Sequence, residues 1–432
     1  MKEFFHSVLL DSAKCKGCIN CIKRCPTEAI RVRNGKAHII SERCIDCGEC
    51  IRVCPYHAKK AQTDPLDKVW KFKYRIALPA PTLYGQFNNL DDVDYILTAF
   101  KMMGFNSVFE VSRGAELVSE ATRIMMNSWK LKRPVISSAC PAVCRLIRVR
   151  FPELCDNLLP LIAPMEEAAR LARLEAKEKT GLKDEEIGVF FITPCPAKAT
   201  DIKMPTGLEK SNVNGALAIS DMYPRLVHYM DKIKTPEPLS KTGIIGVSWA
   251  GIGGESSALL KERYLAADGI ENVINVLEEV EDDKLNDLDF IELNACSGGC
   301  VGGVLTVANP YVARARIQAL RKYLPVACNH LDDEKSFPKE MFWSKPLEEL
   351  PVLKLADNIR DAMVLMHRID ELTAKLPGID CGTCGAPSCH ALAEDIVRGK
   401  AAESDCIFFL NEQLEPEKAN TFMPTPFRKE KE

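Results

Sequence analysis

The chain has 432 residues, enough for two to four domains with real hydrophobic cores, which excludes a small disulfide-stapled hormone or toxin. Its 57 Lys and Arg against 60 Asp and Glu leave a net charge of -3, so neither nucleic acid nor an anionic membrane is expected as a partner. No apolar run approaches the ~20 residues of a membrane helix, and the opening MKEFFHSVLLDSAK is too short in apolar residues for a signal peptide, so a cytoplasmic protein is expected. Cysteine is the outlier: 19 thiols exceed what a reducing compartment leaves idle, so they are expected to bind something.

The first expected domain, residues 1–64, carries an internal duplication, CKGCINCIKRCP followed by CIDCGECIRVCP. A segment of this size buries too little apolar area to stand alone without metal or cross-links. Both runs match the C-x2-C-x2-C-x3-C-P pattern of bacterial two-cluster ferredoxins, an α+β domain in which the fourth cysteine of each run reaches the other cluster. Cys15, Cys18, Cys21 and Cys54 are thereby assigned to one 4Fe-4S cluster, and Cys44, Cys47, Cys50 and Cys25 to a second. Paired four-cysteine zinc sites are the alternative, and a doubled run of this form suits them poorly.

Residues 65–350 alternate short apolar strands with helical patterns. YRIALP, SVFEV, PVISS, GVFFIT, GIIGVSW and DFIEL read as strands of an α/β core with a largely parallel sheet. Three of these segments lead to cysteines, at Cys140, at Cys195, and at Cys296 with Cys300. Loops beyond the carboxyl ends of parallel strands collect ligands, so the four thiols are expected to form one cubane cage. Gly298 and Gly299 would let the backbone approach a cofactor. Cys144, Cys155 and Cys328 read as small buried hydrophobes.

In residues 351–432, Leu355, Ile359, Met363, Met366, Ile369, Leu372 and Leu376 recur at spacings of three and four and predict an amphipathic helix. It stops at Pro377-Gly378 and is followed by Cys381, Cys384, Cys389 and Cys406, a group similar to the small 4Fe-4S domain of corrinoid iron-sulfur proteins and electron-transport subunits. Zinc is again the alternative. The tail from Glu415, rich in Pro, Lys and Glu, reads as frayed.

The central motifs resemble the three signatures of the FeFe hydrogenases, approximating TSCCP, MPCxxKxxE and ExMACxxGCxxGG. Here they read SSACP (137–141), TPCPAKATD (193–201) and ELNACSGGCVGG (292–303). The resemblance implies the α/β hydrogenase core, with Cys140, Cys195, Cys296 and Cys300 holding a cubane. Cys300 would also bridge to a di-iron subcluster with carbonyl, cyanide and azadithiolate ligands, giving four 4Fe-4S clusters in all. It further implies reversible interconversion of dihydrogen with two protons and two electrons. Lys198 would donate to one cyanide, although by residue type alone it reads as a surface lysine, and the Ala80-Pro81-Thr82 turn would hold the other.

The departures are as informative. Ala139 stands where the family has a proton-relaying cysteine, Thr193 and Asn294 replace methionines, and the acidic relay is out of register. Glu116, Glu120 and Glu255 are candidates for a rerouted path, although residue type alone makes each an exposed glutamate. Together with the C-terminal cysteines, the alanine is similar to a sensory subgroup of the family. The resemblance therefore implies slow turnover, a role in sensing dihydrogen or redox state, and as partners ferredoxin or another redox protein, maturation proteins, and a signalling kinase or phosphatase. An iron-sulfur electron-transfer or assembly scaffold without the di-iron unit is the alternative.

Overall fold

The computed structural model describes residues 5–128, 130–333 and 336–412, so the tail from Glu415 lies outside the described residues. It forms two compact units. Of the described residues, the larger takes in Ala61–Leu350 with those through Val8 and Ile45–Gly48; the smaller joins Leu9–Cys44 and Glu49–Lys60 to those from Pro351 onward. The first and third domains expected from sequence thus share one body.

The strands, in chain order, are β1 (Val8–Leu10), β2 (Ile30–Arg33), β3 (Lys36–Ile39), β4 (Lys59–Ala61), β5 (Tyr74–Pro79), β6 (Ser107–Val108), β7 (Val135–Ile136), β8 (Ile187–Thr193), β9 (Gly215–Ala218), β10 (Tyr264–Asp268) and β11 (Phe290–Asn294). The larger unit carries two fully parallel sheets, ordered β6-β5-β8-β9 and β10-β11-β7, where one sheet is expected from sequence. All seven residues of β8 are buried, the continuous apolar run of a parallel strand covered on both faces. Alternate side chains serve opposite layers. Phe190 and Ile192 pack with Ile96 and Phe100 on one side, whereas Val189 and Phe191 pack with Met165, Ala168 and Ala172 of the helix Pro164–Thr180 on the other.

The second sheet is covered in the same way. Ile136, Ile291 and Leu293 meet Val143, Leu146 and Ile147 of the helix Pro141–Arg150, while Val135 and Phe290 meet Leu117, Ala121 and Met125 of the helix Val111–Ser128. Strands β9 and β10 have no counterpart in the sequence reading. GIIGVSW, expected as a strand, is instead the short helix Ile244–Ser248. A short apolar run does not distinguish the two by composition. In the helix Gly246 packs closely on the backbone of a neighbouring helix, where a Cβ would lie 2.1 Å from the Ser112 carbonyl oxygen.

In the smaller unit β2 and β3 form an antiparallel hairpin whose turn residues, Asn34 and Gly35, take φ of +51° and +69°, as a two-residue Asn-Gly turn requires. The predicted amphipathic helix is Ile359–Lys375, with the Asn358 side chain accepting the Asp361 N–H at 2.8 Å. Only the end of its apolar stripe is covered: Ile369, Leu372 and Leu376 pack with Ala391 and Leu392, whereas Ile359, Met363 and Met366 are exposed.

Asp46, between two cysteines of the second run, organises one side of the larger unit. Its buried carboxylate accepts the Ser7 and Val8 N–H groups, the Thr200 hydroxyl at 2.9 Å and the Arg145 guanidinium at 3.2 Å. Removing one partner of a buried ion pair leaves the other charge uncompensated, at a cost of about 3–5 kcal/mol. Asp46→Ala should lower the urea midpoint of the larger unit's unfolding accordingly; an unchanged midpoint would show that Arg145 finds another partner.

Candidate metal centre

The duplicated cysteine runs fold alike. Gly17 and Asp46, each just before the second cysteine of its run, both take positive φ, as do Glu28 and His57, each three residues beyond the fourth. The Cys25 sulfur accepts the Ala29 N–H at 3.2 Å and the Cys54 sulfur accepts the Ala58 N–H at 3.3 Å, the same bond in both halves. Cys15, Cys18, Cys21 and Cys54 frame one small cavity together with Lys59. Burial pushes the Cys21 thiol up to about 11, opposed by the Lys59 charge and reinforced by Cys18, Cys15 and Cys54. The Lys59 ammonium is buried without a hydrogen-bond partner, an arrangement that fits a cluster of thiolates and sulfide beside it. At the C-terminal end of the chain, burial raises the Cys384 thiol, with Cys381 and Cys406 adding to the shift, while Gly382 and Gly385 make left-handed turns at φ +75° and +80°.

The central cysteines stand beyond the C-terminal ends of β7, β8 and β11. Cys140 and Cys195 are each the N-cap of a helix whose first residue is proline, Pro141–Arg150 and Pro196–Lys203, so each thiol sits at a helix N-terminus. The amides of Lys198 and Ala197 donate to Cys195, and burial raises its thiol against them. Ile45 and Cys47 pack into the same apolar cluster as Cys140 and Cys195. Gly299 packs tightly on the neighbouring backbone, where a Cβ would lie 2.5 Å from the Ile252 nitrogen, whereas a Cβ on Gly298 would meet only ordinary contacts.

Beside Cys300 lies a cavity of about 60 Å³ lined by Ala80, Pro81 and Thr82 at the end of β5, by Ala139, and by Lys198. Val111, Ala115, Pro164, Met165, Phe191 and Trp249 make the rest of its wall largely apolar. Lys198, expected at the surface from its residue type, is 9% exposed. Its ammonium donates to the Ala139 carbonyl at 3.0 Å. Burial alone would lower its pKa, but the neighbouring Cys300, Cys195 and Cys140 side chains hold it above the usual lysine value. Burial in turn pushes the Cys300 thiol up to about 12, against the Lys198 charge. The Thr82 hydroxyl is buried with no hydrogen-bond partner. An orphan hydroxyl, a cation with donors to spare and the Cys300 thiol around one largely apolar cavity fit a small group bearing negative, hydrogen-bond-accepting ligands.

Two buried carboxylates complete the wall. Glu292, at 2% exposure, accepts the Gly253 and Ser256 N–H groups at 3.0 and 2.8 Å, the Ser256 hydroxyl, and the Asn294 amide at 3.1 Å. Glu255 accepts the Ser137 hydroxyl at 2.6 Å, and the Ser137 oxygen accepts the Ala139 N–H at 3.2 Å. Burial, with the Glu292 charge adding, pushes Glu255 up to about 8. Sequence reasoning did not single out Glu292 or Ser137, although both lie inside the signature segments; nothing local marks them as buried.

The other relay candidates are committed elsewhere. Glu116 is buried, not exposed, and accepts the Gly243, Cys328 and Asn329 N–H groups at 2.6, 3.0 and 2.9 Å. Glu120 accepts the Leu331 N–H at 2.9 Å. Neither lines the cavity. Thr193 also turns away from it, its hydroxyl bonded to the Cys195 backbone. Among the leftover cysteines, Cys144 is buried, Cys155 is half-buried, and Cys328 is exposed, contrary to its reading as a buried hydrophobe.

The family models that match the chain run in the same order as these sites. A 4Fe-4S dicluster domain matches 7–55, the C-terminal domain of the iron only hydrogenase large subunit matches 73–226 and 252–304, and a putative Fe-S cluster matches 376–408. A periplasmic Fe hydrogenase large subunit from Nitratidesulfovibrio vulgaris is 28% identical over 364 residues, covering 69% of this chain and 86% of that one. Iron hydrogenase 1 from Clostridium pasteurianum is 23% identical over 288 residues, covering 54% of this chain and 50% of that one. A solved FeFe-hydrogenase from Chlamydomonas reinhardtii aligns at 15% identity and a TM-score of 0.42, covering 64% of this chain and 88% of that one. Among the described residues no helix is long and apolar enough to cross a membrane. The chain thus carries the C-terminal domain of the iron only hydrogenase large subunit between two iron-sulfur domains, in register with its cysteine groups, which supports an FeFe hydrogenase-family protein.

Proposed function

We propose that the chain interconverts dihydrogen with two protons and two electrons at an H-cluster, slowly, and that its oxidation state informs a partner protein. The observation that carries this reading is the single buried cavity on which Cys300, Lys198, the Pro81 turn and the unpartnered Thr82 hydroxyl converge. A di-iron subcluster with carbonyl, cyanide and azadithiolate ligands would supply the dihydrogen chemistry there. Cys140, Cys195, Cys296 and Cys300 would hold the adjoining cubane, with Cys300 as the shared thiolate. Lys198 would donate to one cyanide and the Ala80–Thr82 turn to the other, while Phe191, Met165 and Trp249 exclude water.

Ala139 has no side-chain proton to give, which accounts for slow turnover. The buried acids offer a substitute. A proton held on the Glu255 carboxyl has Ser137 Oγ at 2.6 Å and the cavity at its side, and the Glu292 carboxylate lines the same cavity. Electrons would pass through the ferredoxin-type clusters to a ferredoxin or another redox protein, and a kinase or phosphatase would read the state. Maturation proteins would install the di-iron unit. A reducing cytoplasm would suit so many ligating thiols.

Anaerobically purified, matured protein should show infrared carbonyl and cyanide bands that shift between argon and dihydrogen. Cys300→Ser should lose them, and an unaltered spectrum would refute the bridging role. Ala139→Cys should raise turnover by about 10²-fold, the lower end of what a positioned acid-base group contributes; no gain would place the limitation elsewhere. Glu255 titrates near 8 in the folded chain against about 4.5 unfolded, so between those values the folded state holds a proton that unfolding releases. Stability should therefore fall as the pH rises through that window, and Glu255→Gln should flatten part of the fall, as urea midpoints at pH 5 and pH 8 of protein without the di-iron unit would show.

A further inference from the structure

Inside the smaller unit, the loop that carries Cys381 and Cys384 lies directly on the segment that carries Cys18 and Cys21. A Cβ built on Gly382 would touch the Ile19 and Ile22 side chains, each at 3.5 Å. At Gly385 there is no room at all, since a Cβ would fall 1.9 Å from the Val32 carbonyl oxygen. Val32 N–H donates to the Gly385 carbonyl and the Arg33 guanidinium to the Cys384 carbonyl, both at 2.8 Å. Lys23, two residues beyond Cys21, donates to the carbonyls of Asp380 and Pro387, which bracket the first two cysteines of the C-terminal group.

This contact is fixed by buried charge. The helix Cys389–Val397, which begins on a cluster cysteine, presents Glu394 and Asp395. Asp395 accepts the Arg31 guanidinium at 2.7 and 3.2 Å and that of Arg33 at 2.9 Å, while Glu394 pairs with Arg43 at 3.2 Å and Arg398 at 2.8 Å. Arg31, Arg43, Glu394 and Asp395 are all buried, so the pairs hold only while the docked arrangement excludes water. A module that merely trailed on a linker would have no use for such a latch.

We infer that the C-terminal cluster and the first N-terminal cluster are a wired pair. The cluster of Cys381, Cys384, Cys389 and Cys406 exchanges single electrons with that of Cys15, Cys18, Cys21 and Cys54 across the Gly382–Ile19–Ile22 contact. In each transfer one cluster rises from the 1+ to the 2+ state as the other falls from 2+ to 1+, with no bond made and no proton moved; a low-potential one-electron donor loads the pair. Tunnelling through protein weakens steeply with distance, and loops separated by one layer of side chains keep it fast. The inference rests on reading both sites as 4Fe-4S clusters.

The test uses the full chain, reduced with dithionite, and compares its paramagnetic resonance spectrum and spin relaxation with those of Cys384→Ala and of the double variant Glu394→Gln with Asp395→Asn. The wild type should show cluster spins that broaden and relax one another. Cys384→Ala should lose one cluster's worth of iron and sulfide, together with that coupling to the first N-terminal cluster. The double variant should keep its iron and weaken the coupling. Full iron in the wild type with line shape and relaxation unaltered by Cys384→Ala would overturn the wiring while leaving the cluster assignment intact. No loss of iron in Cys384→Ala would overturn the assignment and the wiring with it.

Discussion

The parallel pairing of β5 with β8 is the constraint on which the site depends. Its register sets Pro79 against Ile192, so the two strands run out together, one into the Ala80–Thr82 turn and the other into Cys195. The neighbouring sheet does the same with β7 and β11, where Ile136 pairs with Ile291 and the chains continue to Cys140 and Cys296. Carboxyl ends of parallel strands end on one side of a sheet, and helices covering both faces leave that edge as the place where loops can meet. Cys140, Cys195 and Cys300, from three loops, are thereby gathered around Lys198, and the alanine-proline turn joins Lys198 and Cys300 at the cavity, although the three loops and the turn lie far apart in sequence.

Desolvation then sets the chemistry of what is gathered. A lysine at 9% exposure is tolerable because three cysteines and Asp201 surround it, and those buried thiols are raised in turn unless something positive offsets them. The same dry wall turns Glu255 into an acid that keeps its proton near neutrality. A fold that lacks a thiol at Ala139 still places Glu255 on the cavity wall, where it accepts the Ser137 hydroxyl.

The smaller unit shows how a poor core is supplemented. Its hairpin and short helices bury little apolar surface, and the pairs of Arg31, Arg33 and Arg43 with Glu394 and Asp395 tie residues more than 300 positions apart into one body. The amphipathic helix Ile359–Lys375 contributes only its last turns to that body, which is why a stripe of uniform periodicity in sequence is half exposed in the fold.

The sequence by itself determined the ligand types and the core strands that lead to them. C-x2-C spacing, Cys-Pro turns and an unbroken apolar run such as GVFFIT are local facts, and the covalent chain enforces them whatever lies around it. Tertiary structure decided the rest. Composition leaves GIIGVSW open between strand and helix, and as a helix it packs its Gly246 against the Ser112 carbonyl, more than a hundred residues away. Which glutamate serves the cavity was equally invisible, since Glu116 and Glu255 look alike in sequence and differ only in what surrounds them: Glu116 is spent on the backbone amides of Gly243, Cys328 and Asn329, whereas Glu255 meets Ser137 at the cavity wall. Burial and pairing are properties of contacts between distant segments, and periodicity records only the face a residue is on, never what will come to cover it.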